Sequence, residues 1–522
     1  MPTEILQTIF RLAGRTSEGC SQTTEVLVIS WTCSHWRTIA LGDPQLWRYI
    51  DLRSVDLARL FIERSRPCTL VMDVHREWYC GAQVEESRSS LCKDNLGRVG
   101  ALYFQPLSST LPTWSLELPA PELQELTVVN YYRYQNIYTC LFGNCTPQLR
   151  NLELMGCRLA WRSGMYRNLL KLKLEFYGLL PRPEKDKDLL ALFRDSPNIE
   201  SLELKIMDDK RAPWDPLSNF LLPTNLYSDI DHKTINVPSL RSLVLDLPSE
   251  YMLHILQSII LPGDMTHVDL TARADNDWLT SMLLNKRCLP TELFHDLQEL
   301  SVIHNYEYDI ITCGVRGVGV HQSGEHYNMS LTFLPLRNDG RTTQLEPIVS
   351  TIRNEHPMPF VEHLQFIESS RISNKARDAA ALAMVSFLAH CGPSLTQLTI
   401  HGCGGTLLDR IYRRSVEMVA DAALDPSLRQ PLQNLISLTV SSMELTADDF
   451  AHLVSLCQLL SKHLRRVRVK DLAYTAKSRA AAVDLVRRFK NIGLSDAWWS
   501  DIDIWCEKEE ERCDIQAIYA EA

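Results

Sequence analysis

The sequence predicts an α/β chain: a small N-terminal helical unit, then a long array of stacked, strand-containing repeats with helices and loops on the outer face. Three observations predict it. Within the first fifty residues, apolar positions recur at helical spacing. Beyond them the pattern Leu-x-x-Leu-x-Leu, with Val, Ile, Met or Phe allowed, occurs twelve times. A chain of 522 residues is also too long for one compact core unless it is a repeat array.

The N-terminal unit reads as three short helices. Pro2 suits the first turn of a helix, where its missing N–H costs nothing, and Glu4 complements the helix dipole there. Ile5, Leu6, Ile9, Phe10 and Ala13 fall on one face, and Gly14 can end the helix. After the polar stretch 15–22, the run Val26, Leu27, Val28, Ile29, Trp31, Cys33, Trp36, Ile39, Ala40, Leu41 is too apolar for one surface helix. Two helices breaking near Cys33 to His35 fit better, and Pro44 stops the last. So small a unit needs a partner or a neighbouring domain to cover its apolar surface. It is therefore either a cap on the rest of the chain or a docking surface for another protein.

The runs Pro2-x-Glu4-Ile5-Leu6-x-x-Ile9-Phe10, Cys33-x-x-Trp36-Arg37-x-Ile39-Ala40 and Pro44-x-Leu46-Trp47 resemble an F-box motif. They are similar to the version found in F-box/leucine-rich-repeat proteins expanded in mushroom-forming fungi. The resemblance implies docking on a Skp-type adaptor and, through it, a cullin–RING ubiquitin ligase. Carried over by position, the implied adaptor-binding residues are Pro2, Ile5, Leu6, Ile9, Phe10, Cys33, Trp36 and Trp47.

A connector spans 51–98. Leu57, Leu60, Phe61 and Arg64 predict an amphipathic helix, and residues 68–74 a short strand. Residues 75–96 are polar and read as a mobile loop. The repeats then begin at Val99-Leu102-Phe104, Leu123-Leu126-Val128, Leu149-Leu152-Leu154, Leu169-Leu172-Leu174, Ile199-Leu202-Leu204 and Leu240-Leu243-Leu245. They continue at Met265-Val268-Leu270, Leu297-Leu300-Val302, Val361-Leu364-Phe366, Leu395-Leu398-Ile400, Leu435-Leu438-Val440 and Leu464-Val467-Val469, with a degenerate copy at Met329-Leu331-Phe333. The last two apolar residues lie two apart and so face one side of a strand, and the first suits the turn leading into it. A proline often stands two residues ahead, as at Pro121, Pro147, Pro197, Pro238 and Pro393. This is the leucine-rich-repeat pattern, here an irregular solenoid of about 12–13 repeats over 99–490. Cys157 and Cys403 fall where that pattern places a residue satisfying backbone groups in the turn.

The segments 187–193, 251–260, 345–353, 376–390, 407–424 and 447–460 read as outer helices. Residues 304–328 read as a hairpin or an excursion from the array, with the run Gly314-x-x-Gly317-x-Gly319 in a turn or hairpin. Residues 491–522 read as a terminal cap, or alternatively as an acidic binding tail.

Several classes are excluded. No apolar run reaches 18 residues, so no membrane span is expected, and no signal peptide either. A net charge of −10 argues against a dedicated nucleic-acid binder. The fifteen cysteines are scattered with no Cys-x-x-Cys pair, which favours reduced core thiols in the cytoplasm or nucleus over a metal site. No nucleophile elbow, zinc motif or phosphate loop occurs, and the carboxylate pairs Asp186/Asp188 and Asp501/Asp503 lie on polar segments. No cofactor, metal or catalytic residue is expected.

The x positions of the repeats are expected to form the binding face. They run from a mixed, carboxylate-bearing strip that includes Glu200 and Glu203, through Arg241, to the cationic set Arg465, Arg466, Arg468 and Lys470. These are the candidate client-binding residues. The last set is either a solvated basic edge or a site for an acidic or phosphorylated segment. The expected function is a two-ended adaptor that docks on the ligase at its N-terminus and holds a client protein on its repeats. The alternatives are a non-ligase repeat scaffold with a degenerate F-box, and an enzyme on a repeat scaffold.

Overall fold

A computed structural model of the protein describes residues 1–13, 22–74, 82–105, 115, 117–130, 137–138, 140–159, 164–177, 189–207, 234–273, 288–307, 310–334, 345–369, 374–388, 391, 394–403, 405–424, 432–441, 447–460 and 464–470. The chain divides into two compact units, Met1–Leu240 and Arg241–Ala522.

The first unit opens with α1 (Thr3–Ala13), α2 (Gln22–Thr32) and α3 (Ser34–Leu41). The break between α2 and α3 falls at Cys33, which is extended and whose Sγ accepts from the Trp36 N–H at 3.4 Å. Asp43 then caps the 3-10 turn Pro44–Trp47 and holds Arg11 through two hydrogen bonds of 2.8 and 3.0 Å. Strand β1 (Tyr49–Asp51), α4 (Val55–Arg64) and β2 (Leu70–Val74) come next. Trp47 is fully buried: its indole N–H donates to the Ala40 carbonyl at 2.7 Å, and its ring meets Phe61 of α4 at 4.8 Å. The helical unit is thus packed onto the first strand–helix–strand segment. The buried stripe of α4 is Ala58, Phe61 and Ile62, with Leu57, Leu60 and Arg64 only half-buried, so the apolar face is rotated from the one expected.

The expected loop at 75–96 is largely a helix, α5 (Ala82–Asn95). It reads as polar because Arg88 occupies a buried position in line with Cys92 and Leu96, its guanidinium donating to the Arg53 carbonyl at 3.0 Å. Strands β3 (Val99–Phe104), β4 (Glu125–Val129), β6 (Asn151–Met155), β8 (Lys171–Tyr177) and β9 (Ser201–Met207) continue the sheet. The short strands β5 (Ile137–Tyr138) and β7 (Arg158–Leu159) pair with each other outside it, α6 (Leu189–Asp195) precedes β9, and β10 (Ile235–Asn236) ends the unit. The sheet order is β1-β2-β3-β4-β6-β8-β9, parallel throughout.

The second unit contains β11 (Ser242–Pro248), α7 (Ser249–Ser258), β12 (Ile259–Ile260), β13 (His267–Arg273), α8 (Glu292–His295), β14 (Leu297–Glu307), β15 (Ile310–Val320) and β16 (His326–Leu334). It continues with α9 (Leu345–Glu355), β17 (His363–Glu368), α10 (Asn374–Leu388), β18 (Gln397–His401), α11 (Gly405–Leu424), β19 (Ser437–Ser441), α12 (Ala447–Leu460) and β20 (Arg466–Lys470). The sheet order is β11-β13-β16-β15-β14-β17-β18-β19-β20, and only β15 runs antiparallel. Helices α9 to α12 pack successively on one another. The 304–328 stretch is the hairpin alternative, and the degenerate copy Met329-Leu331-Phe333 is β16, which pairs in parallel with β13. The Gly-rich run lies within β15 rather than in its turns. A Cβ on Gly314 would sit 2.8 Å from the Leu331 carbonyl oxygen, and one on Gly319 would overlap the Tyr327 ring.

All twelve motif copies fall on parallel strands of these sheets, and their apolar residues point inward wherever the side chain is described. The recurring prolines have a local cause. Leu123, Leu149, Ile199 and Leu240 each donate an N–H to the carbonyl three residues back, at 3.1–3.2 Å, closing turns whose second residue is Pro121, Pro147, Pro197 or Pro238. Proline is preset for that turn position. Neighbouring copies then join alike: the carbonyl of the residue just ahead of one strand accepts two successive N–H groups of the next. Gln124, Arg150 and Leu170 do so in the first unit and Arg241, Glu362, Thr396 and Ile436 in the second, at 2.8–3.0 Å. Gly156-Cys157 and Gly402-Cys403 leave equivalent strands with glycine φ of 66° and 69°, and each glycine N–H donates to the next strand, at 2.8 and 2.9 Å.

Candidate functional site

The N-terminal helices expose two apolar strips. On α1, Ile5, Ile9 and Leu12 recur every three or four residues, each about half exposed. On α2, Val28 and Trp31 stand one turn apart, and Trp31 is 67% exposed. Apolar side chains grouped in this way on a folded surface mark interaction sites. Of the implied adaptor-binding residues, Pro2, Ile5, Ile9 and Cys33 lie on the surface, and Trp36 is half-buried against Phe10 with ring centroids 4.9 Å apart. Leu6, Phe10 and Trp47 belong to the core instead, at 6%, 2% and 0% exposed, so they shape the surface from beneath. The motif pattern mixes both kinds because helical spacing marks an apolar face without telling core from contact. The motif does not single out Leu12, Val28 and Trp31 as contacts. The signal for the latter two is that α2 is apolar on more than one side.

The outward face of the first unit's sheet carries charge in pairs. Register aligns Asp73, Tyr103, Thr127, Glu153, Lys173 and Glu203 in one row. Lys173 reaches Glu153 at 2.8 Å and Glu175 at 3.3 Å, and Lys205 reaches Glu203 at 2.7 Å. Partial burial opposes the charged Lys173 ammonium, but the Glu153 hydrogen bond, with Glu153, Glu175 and Glu203 nearby, outweighs it and the pKa rises. Glu125 accepts from Asn151 at 3.2 Å and Tyr103 at 3.4 Å. Tyr103, Glu125, Glu153, Lys171, Lys173 and Glu203 line a trough of about 300 Å³.

The second unit's face changes character along its length. Arg241 is held by Asp264 through an ion pair and a hydrogen bond to its carbonyl. The outward residues of β17 to β19 are largely amide, hydroxyl and imidazole, ordered by mutual bonds: His363 to Thr399 at 2.9 Å, His401 to Ser441 at 3.0 Å and Ser301 to Gln365 at 3.2 Å. Arg466, Arg468 and Lys470 stand in register with Ser437, Thr439 and Ser441, and Arg465 just ahead of β20 is exposed. Of the proposed client-binding residues, Glu203 is paired within the first unit's sheet, and within the second unit Arg241 lies eight strand spacings from β20, about 38 Å along the sheet.

A buried polar cluster joins β14, β17 and α10: His304 Nδ1 lies 3.2 Å from Glu368, which Arg377 approaches at 3.4 Å. Cys403 lies nearby in the structure, but burial, and then the Glu368 charge, push its thiol well up, so it is no ready nucleophile. Among the described residues no group of His, Cys, Asp and Glu could hold a metal ion, and no helix is long and apolar enough to cross a membrane. The carboxylate pairs Asp186/Asp188 and Asp501/Asp503 lie outside the described residues.

Residues 1–53 match the family described as F-box-like, a span that covers α1 to α3, the 3-10 turn and β1. These residues form an F-box-like domain. F-box domains generally bind Skp-type adaptors within cullin–RING ligases and are typically parts of non-catalytic subunits. No curated protein was found to match the chain.

Proposed function

We propose that this protein is the substrate-recognition subunit of a Skp–cullin–F-box-type ubiquitin ligase. The F-box-like match over residues 1–53 is the observation that carries the reading. The adaptor docks on the exposed strips Ile5, Ile9, Leu12 and Val28, Trp31, which supply apolar area that folding leaves uncovered. The strands beyond the F-box-like domain form a leucine-rich-repeat solenoid. The recurring turns, the shared carbonyl acceptors and the equivalent Gly-Cys exits support that reading, because each is the same local solution used again. The solenoid's outward face holds a client. The protein contributes position: tethering client and ubiquitin-loaded partner in one complex raises their local concentration.

The test is co-expression with a Skp-type adaptor. Co-elution as a one-to-one complex, weakened by Trp31→Asp with an unchanged melting profile, is the expected result. A folded, soluble chain that elutes without the adaptor overturns the proposal.

A further inference from the structure

On the first unit's outward face most charges are paired. Arg53 pairs with Asp51, Lys173 with Glu153 and Glu175, and Lys205 with Glu203. Two charges that line the trough of about 300 Å³ stand outside this scheme, Glu125 and Lys171. Among the described residues no cation pairs with Glu125 and no carboxylate pairs with Lys171. Glu125 accepts from the Asn151 amide at 3.2 Å and the Tyr103 hydroxyl at 3.4 Å, one donor to each oxygen. Both donors are neutral, so they fix the carboxylate's direction without cancelling its charge. Burial, and then the Glu125 charge, push the Tyr103 phenol up, which keeps it a donor. Glu125 and Lys171 are both exposed, and register places them on either side of Asn151, on β4 and β8. Their backbones lie two strand spacings apart, about 9.6 Å. Ser201 of β9 flanks Lys171 on its other side and offers a hydroxyl there.

We infer that this trough binds a small zwitterion, a molecule of dipeptide size whose ammonium meets Glu125 and whose carboxylate meets Lys171. The volume lies at the small end of ligand pockets, which suits a small molecule rather than a folded partner. A ligand with one charge of each sign gains a charge-assisted hydrogen bond at both ends. A lone anion would leave Glu125 uncompensated and face Glu153 beside it, and a lone cation would leave Lys171 uncompensated and face Lys173. A highly charged polymer gains little more, because the surrounding Lys173, Lys205 and Arg53 already hold carboxylates. An extended dipeptide spans about 7 Å, enough to reach from the Glu125 end to the Lys171 end. A single amino acid carries both charges on one carbon and reaches only one of them. The site uses the first unit's sheet alone, so it stands whether or not the N-terminal helices dock on an adaptor.

The probe is a mixed pool of free dipeptides, equilibrated with the full chain by dialysis and read by mass spectrometry. Dipeptides enriched on the protein side are then titrated beside their N-acetylated and C-amidated forms. The free form should bind at least about tenfold more tightly than either blocked form, as expected for one charge-assisted hydrogen bond of typical strength. Glu125→Gln, which keeps the side chain's size, should make free and N-acetylated forms bind alike while the carboxylate still matters. Lys171→Met should do the converse, making free and C-amidated forms bind alike. Arg465→Gln on the second unit should leave the whole pattern intact. Both Glu125 and Lys171 are exposed, so their variants should melt as the parent does. A pool with no enriched member, blocked forms that bind as well as free ones, or a pattern unmoved by Glu125→Gln and Lys171→Met overturns the inference. Polylysine or polyglutamate that displaces every bound dipeptide from the parent chain, and does so equally from both variants, overturns it as well.

Discussion

Replacing Trp31 with alanine should separate docking from folding. Trp31 is 67% exposed, and a tryptophan side chain buries on the order of 240 Å² when fully covered, so a partner can cover about 160 Å² of it. At about 25 cal/mol per Å² that area is worth about 4 kcal/mol, an upper figure before the ordering cost of binding is subtracted. Buried aromatic anchors at interfaces cost about 2–4 kcal/mol when truncated, which converts to an affinity about 30-fold to 700-fold weaker. Folding should be unaffected, because exposed substitutions usually fall within about 0.5 kcal/mol. The assay is titration calorimetry against a purified Skp-type adaptor, with urea unfolding of the free chain as control. A dissociation constant within threefold of the parent, at unchanged stability, would refute the placement of the docking surface.

The core offers three further tests. Gly402→Ala puts a Cβ at φ 69° where it overlaps the Glu368 carbonyl oxygen, so strain plus forced separation of β17 and β18 should cost about 2–4 kcal/mol in urea unfolding. Asp43→Ala removes the Arg11 pairing and the turn cap together; with Arg11 45% exposed, the loss should be about 1–2 kcal/mol by thermal melting. Burial pushes the thiols of Cys157, Cys391 and Cys457 up to about 12 from an ordinary value of 9.0. They stay protonated when folded, so the stability they confer is full below about pH 9 and is lost as pH rises from 9 toward 12. In native labelling at pH 8 read by mass spectrometry, exposed Cys33 and Cys145 should react first and these three only on unfolding.

Much of the fold is legible in the sequence because its signals are local. Two apolar residues two apart, after a turn opened by proline, specify a strand and the side it buries, and Leu126-x-Val128 after Pro121 shows how little more is needed. The break at Cys33 is legible because no single helix could bury the whole run. Helix α5 is not, because its buried stripe contains Arg88, whose burial depends on a carbonyl 35 residues away at Arg53. The order of β14, β15 and β16 is equally hidden, since pairing across a sheet is set by packing rather than by any local pattern. The proposed docking surface is half legible. Position along the motif finds Ile5 and Ile9, but whether Trp47 or Trp31 stays outside is decided by Phe61, Ala40 and Arg64, which close over Trp47 alone.

The central claim is that residues 1–53 tie this chain to a ligase through a Skp-type adaptor. The most direct measurement is the mass of the species formed on co-expressing the two, by size-exclusion chromatography with light scattering. The account predicts one adaptor per 59.7 kDa chain. A chain that elutes alone at its own mass, folded and with adaptor in excess, contradicts it.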